Sequence, residues 1–133
     1  VADYITADEL RTEAEASPAA LPDAKAAKLI RYATTLVENT LGPRLRQTSG
    51  PQEGLKVAEA DVAPYQWEML RQAITVLGAR LFHHPELTEG LRFDSVSGPD
   101  FSRSGGVGRV FGDEALALLE AANLRPTGAR ARP

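Results

Sequence analysis

One long helix decides most of what this chain can become. From Asp61 to His84, Trp67, Leu70, Ile74, Leu77 and Leu81 recur at steps of three and four, which lays a single apolar stripe along a helix. Met69, Ala73, Val76 and Phe82 cover a neighbouring face, so this helix is packed on more than one side. Those sides are either two faces of the chain's own core or one core face and one neighbouring subunit, and the sequence favours the first. Pro64 falls in the first turn and Pro85 forces the end.

Two helices are expected before it. Thr6 and Glu9 have the spacing of a capping box, with Ile5 placed to staple onto Leu10, and this helix is expected to run to about Ala16, ahead of Ser17-Pro18. A second helix opens at Pro22 or Asp23 and turns Ala26, Leu29, Ile30, Ala33, Val37 and Leu41 inward. Leu41-Gly42-Pro43 stops it. Residues 43–60 read as a long loop punctuated by Thr48-Ser49-Gly50-Pro51 and Gly54, with Leu55, Val57 and Ala58 suited to a short extended piece.

After the long helix, residues 91–104 have the pattern of a β-hairpin: Leu91 to Val96, a Ser97-Gly98-Pro99-Asp100 turn, and Phe101 to Ser104 returning. A lone hairpin is marginal in water, so this one needs a partner surface. Ser104 to Gly112 reads as a flexible glycine-rich link. Asp113 then caps a short helix with Leu116, Leu119 and Ala122 on one face and Leu118 beside it, ended by Asn123 and Pro126. The tail carries Arg125, Arg130 and Arg132 without apolar period. The expected fold is therefore mainly α: a small bundle of about four helices with a short hairpin before the last. Residues 1–112 form the core with its link, and 113–133 form a C-terminal docking helix and arginine-rich tail.

Composition narrows the function. A formal charge of -3 on 133 residues argues against a dedicated nucleic-acid binder, whose domain is usually basic. No run approaches the roughly 18 apolar residues that span a bilayer, and the first residues, with Asp3, Asp8 and Glu9, do not resemble a signal peptide. With no cysteine there is neither a disulfide framework nor a thiolate metal site, and the expectation is a soluble intracellular protein.

The chemical motifs are weak. His83 and His84 are adjacent, so on a helix their rings point about 100° apart and do not converge as an i, i+4 pair would. Both stand where the helix carbonyl end favours a cation. Gly105-Gly106-Val107-Gly108 lacks the Gly-Lys-Ser/Thr ending of a phosphate loop and has no βαβ unit around it. Ser95, Ser97, Ser102 and Ser104 have no nucleophile-elbow pattern. Glu13 with Glu15, and Glu86 with Glu89, read as solvated faces. Arg44, Arg46, Arg125, Arg130 and Arg132 read as surface or interface residues sooner than phosphate ligands. No catalytic residue, metal or cofactor is expected.

The segments YITADEL, LVENTLG, VAPYQWEMLRQAITVLGARLFHHPE and ALALLEAANLRP, taken in order with the serine- and glycine-rich hairpin, resemble the tailed-bacteriophage head–tail connector (adaptor) family over roughly residues 3 to 126. Members form a ring beneath the portal, usually twelvefold in the virion, and join the head to the next neck or tail component. The resemblance implies a structural, non-enzymatic subunit of the virion neck, assembled in the bacterial host cytoplasm. Its implied partners are further copies of itself, the portal protein and a downstream stopper or tail protein, with DNA passing through the lumen without sequence-specific binding and no membrane partner. It implies portal docking through Leu116, Leu119, Leu124, Arg125, Arg130 and Arg132, and core or subunit packing through Trp67, Leu70, Ile74, Leu77, Leu81 and Phe82. The loop from Pro43 to Ala60 and the tail after Pro126 have no counterpart in the family pattern. The reading kept beside it is a small helical DNA-binding regulatory protein with arginines at its helix ends.

Overall fold

The computed structural model describes residues 2–41, 44–88 and 106–122. Within them the fold is mainly α: α1 (Ala7–Ala14), α2 (Asp23–Asn39), α3 (Pro64–His83) and α4 (Gly106–Ala122), with short 3-10 turns at Glu59–Asp61 and Pro85–Thr88. The expected hairpin at 91–104 lies outside the described residues.

Helix α1 opens on the capping box. Thr6 Oγ1 accepts from the Glu9 amide at 3.2 Å, while Glu9 Oε1 accepts from the Thr6 amide at 2.8 Å. Ile5 and Leu10 are both buried beside it. The helix ends at Ala14, before the expected Ala16, because Glu15 turns left-handed at φ 54°. The amides of Glu15 and Ala16 then bond back to Thr12 and Arg11, which closes the end in a Schellman arrangement.

Proline sets both limits of α3. Ala63 precedes Pro64 and is extended (φ -68°, ψ 152°), so Glu59–Asp61 forms a separate turn instead of the first turn of the helix. His84 precedes Pro85 and leaves helical geometry, which places the end at His83. Ala63 has no side-chain acceptor; only the return bond of a capping box exists, from the Ala63 amide to Gln66 Oε1 at 2.9 Å.

α3 is the centre of the molecule, and α1, α2 and α4 all pack on it. The inward residues of α2 (Ala26, Leu29, Ile30, Ala33 and Val37) are buried as their period predicts, and Leu41, expected as the last of them, is buried two residues past the helix end at Asn39. Leu10 of α1 packs directly over Gly78 of α3. Helix α4 covers the remaining side with Phe111, Ala115, Leu119 and Ala122. Gln66 ties its far end down, donating from Nε2 to the Ala122 carbonyl at 2.9 Å.

The glycine-rich stretch expected as a link is helical from Gly106, and the helix is broken at Gly112 (φ 78°, ψ 168°). Phe111, 1% exposed, anchors the turn before the break in the core, and this tertiary packing outweighs the weak helix propensity of glycine. Residues 113–122 therefore belong to the same core as the rest of the described chain.

Candidate functional site

The predicted packing residues fall together. Trp67, Leu70, Ile74, Leu77 and Leu81 are at most 9% exposed and lie in one core cluster, with Ala73 and Val76 buried on the adjoining face. The stripe and its neighbouring face are thus two sides of the chain's own core, the alternative that the sequence favours, and these five side chains are not available to a neighbouring subunit. Phe82 alone of the set reaches the surface. It is half-buried, and the Lys25 ammonium stands 5.4 Å from its ring centroid.

The docking set divides. Leu119 is 1% exposed and packed inward, so it is unavailable to a partner while α4 is seated against α3. Leu116 is half-buried at the edge of the core. Leu124, Arg125, Arg130 and Arg132 lie outside the described residues.

A buried polar cluster was invisible in the sequence. Glu38 sits in α2 at 2% exposure. Its Oε2 accepts from the Tyr4 hydroxyl at 2.9 Å and from the Lys56 amide at 3.0 Å, and its Oε1 accepts from Arg46 Nη1 at 2.9 Å. The Tyr4 oxygen in turn accepts from the Val57 amide at 3.1 Å, and Arg46 donates to the Gly54 carbonyl at 2.9 Å. Burial, then the carboxylate of Glu38, push the Tyr4 phenol well above its ordinary range, so it remains a donor. The cluster fixes the loop that follows α2: the Gln47 amide donates to the Leu55 carbonyl, the Gly54 amide donates to the Gln47 carbonyl, and Leu55 and Val57 enter the core. Arg46, which the sequence groups with possible phosphate contacts, is therefore a brace. A signal for this site was scarcely available, because its partners lie 34 and 18 residues from Glu38.

Two arginines tie helix ends together. Arg71 of α3 donates to the Tyr4 carbonyl at 2.8 Å and pairs with Glu68 and with Glu9. Burial works against ionising Glu9, yet the Thr6 amide and the Arg71 guanidinium outweigh it and hold the carboxyl below its usual value. Arg11 donates to the Leu21 carbonyl at 2.8 Å and pairs with Asp8 and Asp23, joining α1 to the start of α2.

The histidines diverge as their spacing predicts. His83 Nε2 meets the Ala14 carbonyl at 3.0 Å; since a carbonyl only accepts, this nitrogen carries the proton and helps satisfy the end of α1. His84 Nδ1 faces Glu86 at 3.4 Å on the surface. Among the described residues no group of three His, Asp or Glu side chains is placed to hold a metal ion. Ser95, Ser97, Ser102, Ser104 and Gly105 lie outside the described residues, and Gly106 and Gly108 are part of the first turns of α4.

What the surface presents is charge in separate places. Lys25, Lys28 and Arg31 recur along the outer side of α2, all exposed. Lys25, Lys28, Tyr32 and Phe82 border a groove of about 670 Å³ between α2 and the end of α3. Leu45, at 90% exposure, and Tyr65, at 54%, are large apolar side chains held outward. No described helix is long and apolar enough to cross a membrane. Compared with known proteins, the chain matches no family model, no curated protein and no solved structure.

Proposed function

We propose that this chain is a structural head-to-tail adaptor of a tailed bacteriophage, a subunit of a ring beneath the portal that joins the capsid vertex to the neck or tail and lets DNA through. The observation that carries the reading is the order of segments resembling the connector family. The first, the third and the core of the last form helices α1, α3 and α4, and the second, LVENTLG, supplies the end of α2, all in one core around α3. A block of fixed shape suits repeated head-to-tail contacts, which close into rings when the rotation per copy allows.

In this reading the portal-facing determinants lie past the seated part of α4, at Leu124, Arg125, Arg130 and Arg132, with Leu116 at the accessible edge of the core. The partners are further copies of the chain, the portal and a downstream stopper or tail protein, in the virion neck. Truncation after Ala122 tests it: the shortened chain keeps its melting temperature and no longer co-sediments with portal complexes. Retained co-sedimentation of the truncated chain overturns the docking assignment, and failure of the full chain to join portal overturns the adaptor reading.

A DNA-binding regulatory module is the second reading, favoured by the exposed Lys25, Lys28 and Arg31 along α2. It requires duplex DNA binding whose affinity falls steeply with added salt. An electrophoretic shift at low salt separates the two.

A further inference from the structure

The two ends of α3 carry surfaces that match each other. At its start Tyr65 stands 54% exposed, with Glu59, Asp61 and Glu68 exposed around it in sequence. Glu68 is three residues on, so it shares the Tyr65 side of the helix, but it is paired with Arg71, and Glu59 and Asp61 carry the acidic character of this end. Arg71, the nearest cation along the chain, is held by Glu9, Glu68 and the Tyr4 carbonyl. At the other end, the groove has Leu29, Leu81 and Phe82 as apolar wall and Lys25 and Lys28 as a basic rim. The acids nearest that rim in sequence are engaged, Asp23 by Arg11 and Glu86 by His84.

We propose that the Tyr65 end of one copy docks in the Lys25–Phe82 groove of a second copy, ring against Phe82, carboxylates against Lys25 and Lys28. Tyrosine is favoured at such anchors because it adds large apolar area with a polar tip that stays wet. Leu45 is more exposed, but no carboxylate adjoins it in sequence and Arg44 precedes it, so it offers the lysine rim no opposite charge. Knob and groove are about 26 Å apart at 1.5 Å per helical residue, so neither can fill the other within one chain. The contact is head-to-tail and leaves a free knob and a free groove on every pair, which propagates to a ring or a filament. It names the surfaces behind the self-association in the adaptor reading and rests on that reading.

Sedimentation velocity on the full chain, up to millimolar concentration, tests it with two surface variants, Lys25→Glu with Lys28→Glu, and Glu59→Lys with Asp61→Lys. Circular dichroism should show wild-type helicity in both. The wild type should form concentration-dependent species above the monomer, and each variant should need at least about tenfold more protein to do so. An equimolar mixture should regain assembly, because each reversed groove then meets a reversed end. A variant that assembles like the wild type, a mixture that does not recover, or a wild type that stays monomeric overturns the contact. The adaptor reading survives all three as long as the full chain still sediments with portal complexes.

Discussion

Gly78 of α3 lies so close to Leu10 of α1 that a Cβ placed on it would stand 2.8 Å from Leu10 Cδ1. The helices cross where one residue has no side chain and the other is fully buried. Gly78→Ala sets two effects against each other. Replacing a mid-helix glycine favours the helix by about 1 kcal/mol, while overpacking a close-packed site costs about 1–3 kcal/mol. The clashing atom is the far end of the Leu10 side chain, which is fully buried and yields only within the packed core, so the net expectation lies between no change and a loss of about 1 kcal/mol. Urea denaturation should show it, and Leu10→Val should cost less in the Gly78→Ala background than in the wild type. Additive losses would mean that the two residues do not share the space.

Glu38 should rank first among the polar residues for stability. Glu38→Ala leaves the Tyr4 hydroxyl and the Lys56 amide without their acceptor, at a cost of about 3 kcal/mol. Tyr4→Phe strands the Val57 amide and should cost about 1–2 kcal/mol. Arg46, 56% exposed, has water to replace its partner, so Arg46→Ala should cost about 1 kcal/mol or less. Denaturant midpoints in that order support the cluster as a buried anchor; an Arg46→Ala loss equal to that of Glu38→Ala refutes it.

How legible these features are in the sequence follows from the range of the interactions. The Thr6–Glu9 box and the stripe from Trp67 to Leu81 depend on neighbours three and four residues apart, so spacing alone exposes them. Nothing local in the sequence marks Glu38 for burial, because the Tyr4 hydroxyl and the Lys56 amide that donate to it lie 34 and 18 residues away. The same blindness affects Gly106 to Gly112. Glycine content points to a link, but the helix there is set by Phe111 entering a core that local propensity cannot report. Leu119 and Leu116 share a helix face in the pattern, and only the packing of α4 on α3 separates a core residue from an edge residue.

Glu9 should give the fold an acid-sensitive component. Its carboxyl ionises below the ordinary value of 4.5 in the folded chain, so the unfolded chain binds the proton more tightly. The stabilisation is complete above pH 4.5 and is lost as pH falls through the lower, folded value. Glu9→Gln should lower stability near neutrality by about 0.5–1 kcal/mol and flatten the acid limb of the melting-temperature profile. An acid limb as steep as that of the wild type would show that other carboxylates carry it.

Gly112 should tolerate no side chain, and for a reason separable from crowding. Its φ of 78° and ψ of 168° fall in a region that is essentially glycine-only, costing about 1–3 kcal/mol for any other residue. An added Cβ would also stand 3.1 Å from Arg80 Nε. Gly112→Ala should therefore lose about 2 kcal/mol in urea denaturation. Arg80→Ala should not restore it, since trimming the neighbour leaves the backbone strained. Full rescue by Arg80→Ala would assign the effect to crowding.

Leu119 decides whether α4 is structural or a mobile docking element. A seated helix with this side chain 1% exposed predicts a cavity on truncation. Leu119→Ala should cost about 2–5 kcal/mol. Leu116→Ala, at the half-buried edge, should cost under about 1.5 kcal/mol. A tethered helix that folds only against a partner would leave the isolated chain indifferent to both substitutions, so equal melting temperatures for Leu119→Ala and wild type would detach α4 from the core. If the losses fall as expected, a defect of Leu116→Ala in portal co-sedimentation can be assigned to the surface, because the same chain remains folded while it fails to join.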